Sequence, residues 1–134
     1  MLLMFICLLR KIADMIRQKK DILANWMTLE NGKPLVEGVA EASGTADIFE
    51  WNAEETKRIY GQTIESRFED TRVHVYYQPV GVVAALSPWN FPLILAARKI
   101  STALAAGCSV IIKPDTITPG VVMQLVDILS LIHI

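Results

Sequence analysis

Val80-Gly-Val-Val-Ala-Ala-Leu-Ser-Pro-Trp-Asn-Phe-Pro92 is the stretch on which the fold turns. Val80 to Leu86 is apolar throughout, with no polar alternation, and so reads as a strand buried on both faces. Pro92 then opens a helical pattern in which Leu93, Ala96, Ala97, Ile100, Ala103 and Leu104 recur at steps of three and four, and Gly107 stops it. Ser109 to Ile112 is a second apolar run, expected as another buried strand. Thr118-Pro119 begins a further helix through Val122, Leu125, Val126 and Ile128. Strand, helix, strand, helix with apolar strands predicts the opening of a doubly wound α/β unit on a parallel sheet.

Charge separates this stretch from the rest of the 134-residue chain, whose formal net charge is -1. From residue 79 onward the only charges are Arg98, Lys99, Lys113, Asp115 and Asp127, so this part suits an interior larger than the chain alone encloses. The overall balance offers no basic field for nucleic acid. The apolar run from Met1 to Leu9 is far short of the roughly 18 residues that argue for a membrane span, and it lacks the basic flank of a signal peptide. Cys7 and Cys108 are too few for a disulfide scaffold and form no metal-ligand pattern with His74 or His133. A reducing cytoplasmic setting is expected, with no nucleic-acid, membrane or metal partner.

Upstream, Leu8, Ile12, Met15, Ile16, Leu23, Trp26 and Met27 define one amphipathic helix that starts within the apolar run. Asn31-Gly32 ends it, and Pro34 blocks continuation. A second helix follows on Val39, Ala42, Ala46, Phe49, Ala53, Thr56 and Tyr60, with Glu37, Glu41, Glu50, Glu54 and Arg58 placed on its outer surface and Gly61 closing it. Two long helices on a short connection are expected to pack antiparallel as a hairpin. Arg72 to Gln78, rich in β-branched and aromatic residues, is expected as a partly exposed strand. Cys7, Cys108, Trp26, Trp51 and the tyrosines Tyr60, Tyr76 and Tyr77 read as packing groups, and His74 has no visible partner.

Ligands of doubly wound sheets lie beyond the carboxyl ends of the strands, here Ser87 to Pro92 and Lys113 to Thr116. The glycine fingerprint of ordinary dinucleotide-binding turns is absent after the first strand. Pro88 and Pro92 fix their own φ and restrict Ser87 and Phe91, which makes the bend stiff. Asn90, beside a helix N-terminus, either donates its amide to an oxyanion or merely caps the helix. Lys113 either donates to ribose hydroxyls or a phosphate, or is solvated at a strand end. Arg98 either grips a substrate carboxylate or extends into solvent.

Gln78 to Pro92, together with Ala103-Leu-Ala-Ala-Gly-Cys108 and Val110-Ile-Ile-Lys-Pro114, resembles the NAD(P)-dependent aldehyde dehydrogenase superfamily. The likeness extends back through Leu9 to Asp14, Thr28 to Pro34 and Lys57 to Gly61. It implies a helical hairpin over 1–61, an oligomerisation-type strand over 72–78, and the start of an incomplete Rossmann-like cofactor domain over 80–128. It further implies that Asn90 is the side-chain donor to the thiohemiacetal oxyanion. Leu86, Ser87, Pro88 and Trp89 would line the cofactor cleft, and Lys113 would bind the adenosine ribose of NAD or NADP. Thr116, where the family often carries glutamate, leaves room for a 2'-phosphate, with Asp115 beside it a departure from the pattern. Arg98 matches the position at which succinate-semialdehyde dehydrogenases hold the distal carboxylate of their substrate.

Neither Cys7 nor Cys108 matches the nucleophile motif of that superfamily. The resemblance therefore implies an N-terminal fragment of a homo-oligomeric oxidoreductase acting on an aldehyde or semialdehyde, inactive by itself. The alternative is a non-catalytic module that only docks onto other subunits. Residues 129–134, Leu-Ser-Leu-Ile-His-Ile, spell one reading frame of a transposase mosaic-end adapter and are expected to be foreign to the fold.

Overall fold

A computed structural model describes residues 2–131. Residues 132–134, including His133, lie outside that range; Leu129 and Ser130, expected to be foreign to the fold, are instead helical, with Leu129 buried in the core. Three helices open the chain: α1 (Leu2–Gln18), α2 (Lys20–Asn31) and α3 (Leu35–Glu55), followed by a 3-10 turn (Thr56–Arg58). The single helix expected from Leu8 to Asn31 is thus two. The break falls at Lys19, whose φ of -101° and ψ of 11° leave the helical region. No proline or glycine marks it, and the ladder resumes at once, with Leu23 N–H donating to Lys19 C=O at 3.1 Å. Gly32, at φ 74°, terminates α2 in the left-handed conformation expected of the Asn31-Gly32 pair, its N–H donating to Thr28 C=O.

The hairpin packs antiparallel, as the short connection requires. Arg10 pairs with Glu54, Arg17 with Asp47 and Glu50, and Gly38 lies against the backbone of Ala24, so partners run in opposite directions along the two arms. Those ion pairs are solvent-exposed, a class worth about 0–1 kcal/mol each. Cohesion comes from Leu9, Ile12, Ile16, Leu23, Met27, Ala42, Ala46 and Phe49, all fully buried between the arms and the helices that follow. Glu41, expected on the outer surface, is a correction: it is buried on α3, between Gly38 and Thr45 on the same stripe.

Beyond the hairpin, β1 (Gln62–Glu65) pairs antiparallel with β2 (Arg72–Val75). The first of these strands is too short and polar to carry a period, and the second stops three residues before the expected Gln78. His74 gains a partner there, its Nδ1 lying 3.1 Å from Thr63 Oγ1.

The α/β unit follows as read: β3 (Val82–Leu86), α4 (Pro92–Ala105), β4 (Ser109–Lys113) and α5 (Pro119–Ser130), with β3 and β4 parallel. One expectation about it fails. Val82, Leu86 and Ile111 are about two-thirds exposed, while Val83, Ala85, Val110 and Ile112 turn toward the helices. The helices of this chain cover one face of the sheet, so the strands alternate between covered and open positions instead of being buried throughout. Exposure also corrects the packing role expected of Cys7, Trp51, Tyr60, Tyr76 and Tyr77; Cys108 is buried as expected. No helix of the described residues is long and apolar enough to cross a membrane.

Candidate functional site

The parallel register places Leu86 opposite Lys113, and Ser87 N–H donates to Lys113 C=O at 3.2 Å. The two carboxyl-end loops therefore leave the sheet side by side, as the strand–helix–strand pattern requires. Leu86, Pro88, Trp89, Asn90 and Phe91 are exposed, and Ser87 is buried. The Ser87 hydroxyl finds no hydrogen-bond partner among the described residues.

The choice left open for Asn90 is narrowed by where the N–H groups of α4 go. Phe91, not Asn90, occupies the cap position, and no side chain of the bend bonds the helix start. Instead Glu41 Oε1, from α3, accepts from Leu93 N–H at 3.0 Å and Ile94 N–H at 3.1 Å. A carboxylate at a helix N-terminus satisfies orphan donors and meets the positive end of the dipole. The dipole of α4 is therefore already engaged by Glu41. The side-chain amide of Asn90 makes no hydrogen bond among the described residues.

The backbone of the bend is held from beneath. Asn31 Nδ2 donates to Trp89 C=O at 2.6 Å, and Lys33 Nζ donates to Asn90 C=O at 3.2 Å. Lys33 also pairs with Glu41 and stands 4.1 Å from the centroid of the Phe91 ring. Glu30, one residue before Asn31, receives the start of α5: Gly120 N–H donates to Oε1 at 2.5 Å and Val121 N–H to Oε2 at 2.9 Å. Sequence reasoning missed all four of these residues. Three of them belong to the last turn of α2 and the connection after it, which read as a helix end, and Glu41 falls outside the apolar series of its helix, so its burial had no local signal.

At the second loop, Lys113 is exposed and makes no ion pair among the described residues. Asp115 is turned into its own loop, where Oδ1 accepts from Ile117 N–H at 3.0 Å. Thr116 is exposed. A free ammonium, an exposed hydroxyl and an unsatisfied buried serine at one sheet edge form a donor set that fits a polyhydroxylated, anionic ligand. Arg98 is not brought to this edge. It stands exposed on α4 with no anionic partner among the described residues, in a hollow shared with Val80, Val83, Ala84, Lys99 and Thr102.

Residues 6–133 match the Aldehyde dehydrogenase family. The chain belongs to that family. The succinate semialdehyde dehydrogenase of Acinetobacter baylyi is 48% identical over 121 residues, covering 90% of this chain and 25% of that protein. Among solved structures, an NADP-dependent enzyme of Escherichia coli superposes with a TM-score of 0.94 at 43% identity, over 97% of this chain and 27% of that one. A Staphylococcus aureus betaine aldehyde dehydrogenase in complex with NAD+ gives 0.94 at 34% identity, over 98% and 26%. The chain thus spans about a quarter of the length of the relatives it matches.

Proposed function

We propose that this chain supplies the oxyanion donor and part of the dinucleotide seat of an NAD(P)-dependent aldehyde dehydrogenase that oxidises an aldehyde bearing a distal carboxylate. The observation that carries the reading is the unengaged Asn90 amide, exposed on a backbone fixed by Asn31 and Lys33. Thiolate attack on an aldehyde turns its oxygen anionic, and a rigid neutral donor stabilises that charge without having to reorganise. Lys113 and Thr116 would hold the adenosine ribose, with Leu86, Ser87, Pro88 and Trp89 along the cleft and Asp115 ordering the loop. The hydroxyl of Thr116 carries no charge to repel a 2'-phosphate, so NAD and NADP are both accommodated. When bound, the dinucleotide accepts the hydride released from the substrate carbon.

Arg98, charged and unpaired among the described residues, is assigned to the distal carboxylate, an assignment supported by the semialdehyde substrate named for the Acinetobacter relative. Neither thiol of this chain is assigned the nucleophile's role; Cys108 is buried in the core and Cys7 lies on α1. Both being free suits a reducing cytoplasm. The exposed Ile64, Phe68, Tyr76 and Tyr77 on and around the β1–β2 hairpin suit assembly into a homo-oligomer.

The test joins residues 1–128 to the remaining part of the Acinetobacter enzyme and follows NAD(P)H formation from succinate semialdehyde. Asn90→Ala is expected to lower kcat by roughly 100- to 1,000-fold, the usual effect of removing one oxyanion donor. Arg98→Met is expected to act chiefly on the KM for the semialdehyde. The 134-residue chain by itself is expected to form no NAD(P)H. Full turnover of the Asn90→Ala enzyme refutes the reading.

A further inference from the structure

We infer that Asn31, Lys33 and Glu41 are positioning residues that set where the Asn90 amide stands, an inference resting on the oxyanion role proposed above. Two consecutive carbonyls of the bend and the ring that follows them are tied to the end of α2 and the α2–α3 connection. Trp89 C=O accepts from Asn31 and Asn90 C=O accepts from Lys33; the ring of Phe91 lies over the same ammonium. Immediately after, the first free amides of α4 donate to Glu41, which is paired with Lys33. The side chains of Trp89 and Asn90 are left exposed while their backbone is held.

Stability is a poor explanation for keeping this pair. Lys33 is 8% exposed and Glu41 5%, and desolvating two charges to that degree consumes most of what their attraction returns. What the pair does provide is geometry. Lys33 alone reaches Glu41, the Asn90 carbonyl and the Phe91 ring from one ammonium, and Glu41 alone ties that ammonium to two amides of α4. Pro88 and Pro92 limit the internal freedom of the bend; the Lys33–Glu41 pair fixes its height and direction relative to the helix layer. An oxyanion donor is useful only if its position is fixed to a few tenths of an ångström before the reaction begins.

The first arm of the test uses the 15N-labelled 134-residue chain. Removing both charges, as in Lys33→Met/Glu41→Gln, leaves no unpaired buried ion and is expected to keep the urea midpoint above that of either single variant. Exchange of the Leu93 and Ile94 amides is expected to quicken by about tenfold or more, and the Asn90 side-chain amide resonances to move, while those of Phe49 and Ile128 stay. Recovery of both the midpoint and the parent Asn90 resonances overturns the inference, since it leaves the pair a purely structural one. Should that variant fail to fold, Asn31→Ala removes the contact at Trp89 on the protein surface. It is expected to shift the Trp89 and Asn90 resonances at an unchanged midpoint, and unmoved resonances overturn the inference.

The second arm uses the joined enzyme described above. Lys33→Met/Glu41→Gln is expected to lower kcat by about tenfold or more and to leave the KM for dinucleotide within about twofold. Unchanged kcat in this variant, with Asn90→Ala impaired, overturns the positioning role alone. Full turnover with Asn90→Ala removes the oxyanion reading, and the inference falls with it.

Discussion

Replacing Glu30 by alanine is expected to unlatch α5 from the hairpin. Its carboxylate is the acceptor for two consecutive amides of the first turn, Gly120 at 2.5 Å and Val121 at 2.9 Å. Loss of a side-chain helix cap costs typically about 1 kcal/mol and loss of a favourable charge at the N-terminus about 0.3–1 kcal/mol. The contact is only partly buried, so water takes up some of the freed donors, and a total of about 1–1.5 kcal/mol is expected. For a chain of this size that corresponds to a fall in Tm of roughly 4–6 °C, or a loss of about 0.5–1 M in urea midpoint. Gly120→Ala supplies the control. A Cβ there would stand 2.6 Å from Glu30 Oε1 and 2.6 Å from the Trp26 ring, so the substitution destabilises despite alanine's better helix propensity. In the Glu30→Ala background half of that clash is gone, and the cost of Gly120→Ala is expected to shrink by at least about 0.5 kcal/mol. Melting within about 0.5 kcal/mol of the parent for Glu30→Ala, or strict additivity of the pair, refutes the latch.

Three further outcomes follow from the same structure. Phe49→Ala empties the centre of the hairpin and is expected to cost about 3–5 kcal/mol in urea unfolding; a loss under 1.5 kcal/mol contradicts its placement. A thiol reagent is expected to label exposed Cys7 in the native chain and buried Cys108 only once urea unfolds it, so equal native rates contradict the assignment. Lys57, and after it Arg10, hydrogen-bond the Glu54 carboxylate and hold its pKa below the ordinary glutamate value of 4.5. A carboxyl held low stabilises the folded chain above that value and loses the effect as pH falls through its folded pKa. Tm is therefore expected to drop less steeply below about pH 4.5 in Glu54→Gln than in the parent, and parallel curves count against the pairing.

The α/β half was legible because its punctuation is local: Pro92, Gly107 and Pro119 mark helix boundaries that the structure places within a residue or two. The antiparallel hairpin was legible for the same reason, through Asn31, Gly32 and Pro34. What escaped was decided by tertiary contact. Lys19 breaks a helix with no breaker residue, and Gln62–Glu65 is a strand only because Arg72–Val75 lies beside it. The exposure of Val82, Leu86 and Ile111 depends on how many layers surround the sheet, which an apolar run does not record. At the site, Asn90 was legible as a candidate from its two flanking prolines. Its helix-cap alternative fails because Phe91 takes the cap position and the free amides of α4 go to Glu41, a residue 49 positions earlier whose burial the helical pattern does not show.

The two carboxylates that receive α4 and α5, Glu41 and Glu30, both precede in sequence the amides they bind. Synthesis runs from the N-terminus, so each of these acceptors is made before the amides it receives. Each later helix therefore begins with its acceptor already part of the chain, and neither helix start has to wait for residues still to come.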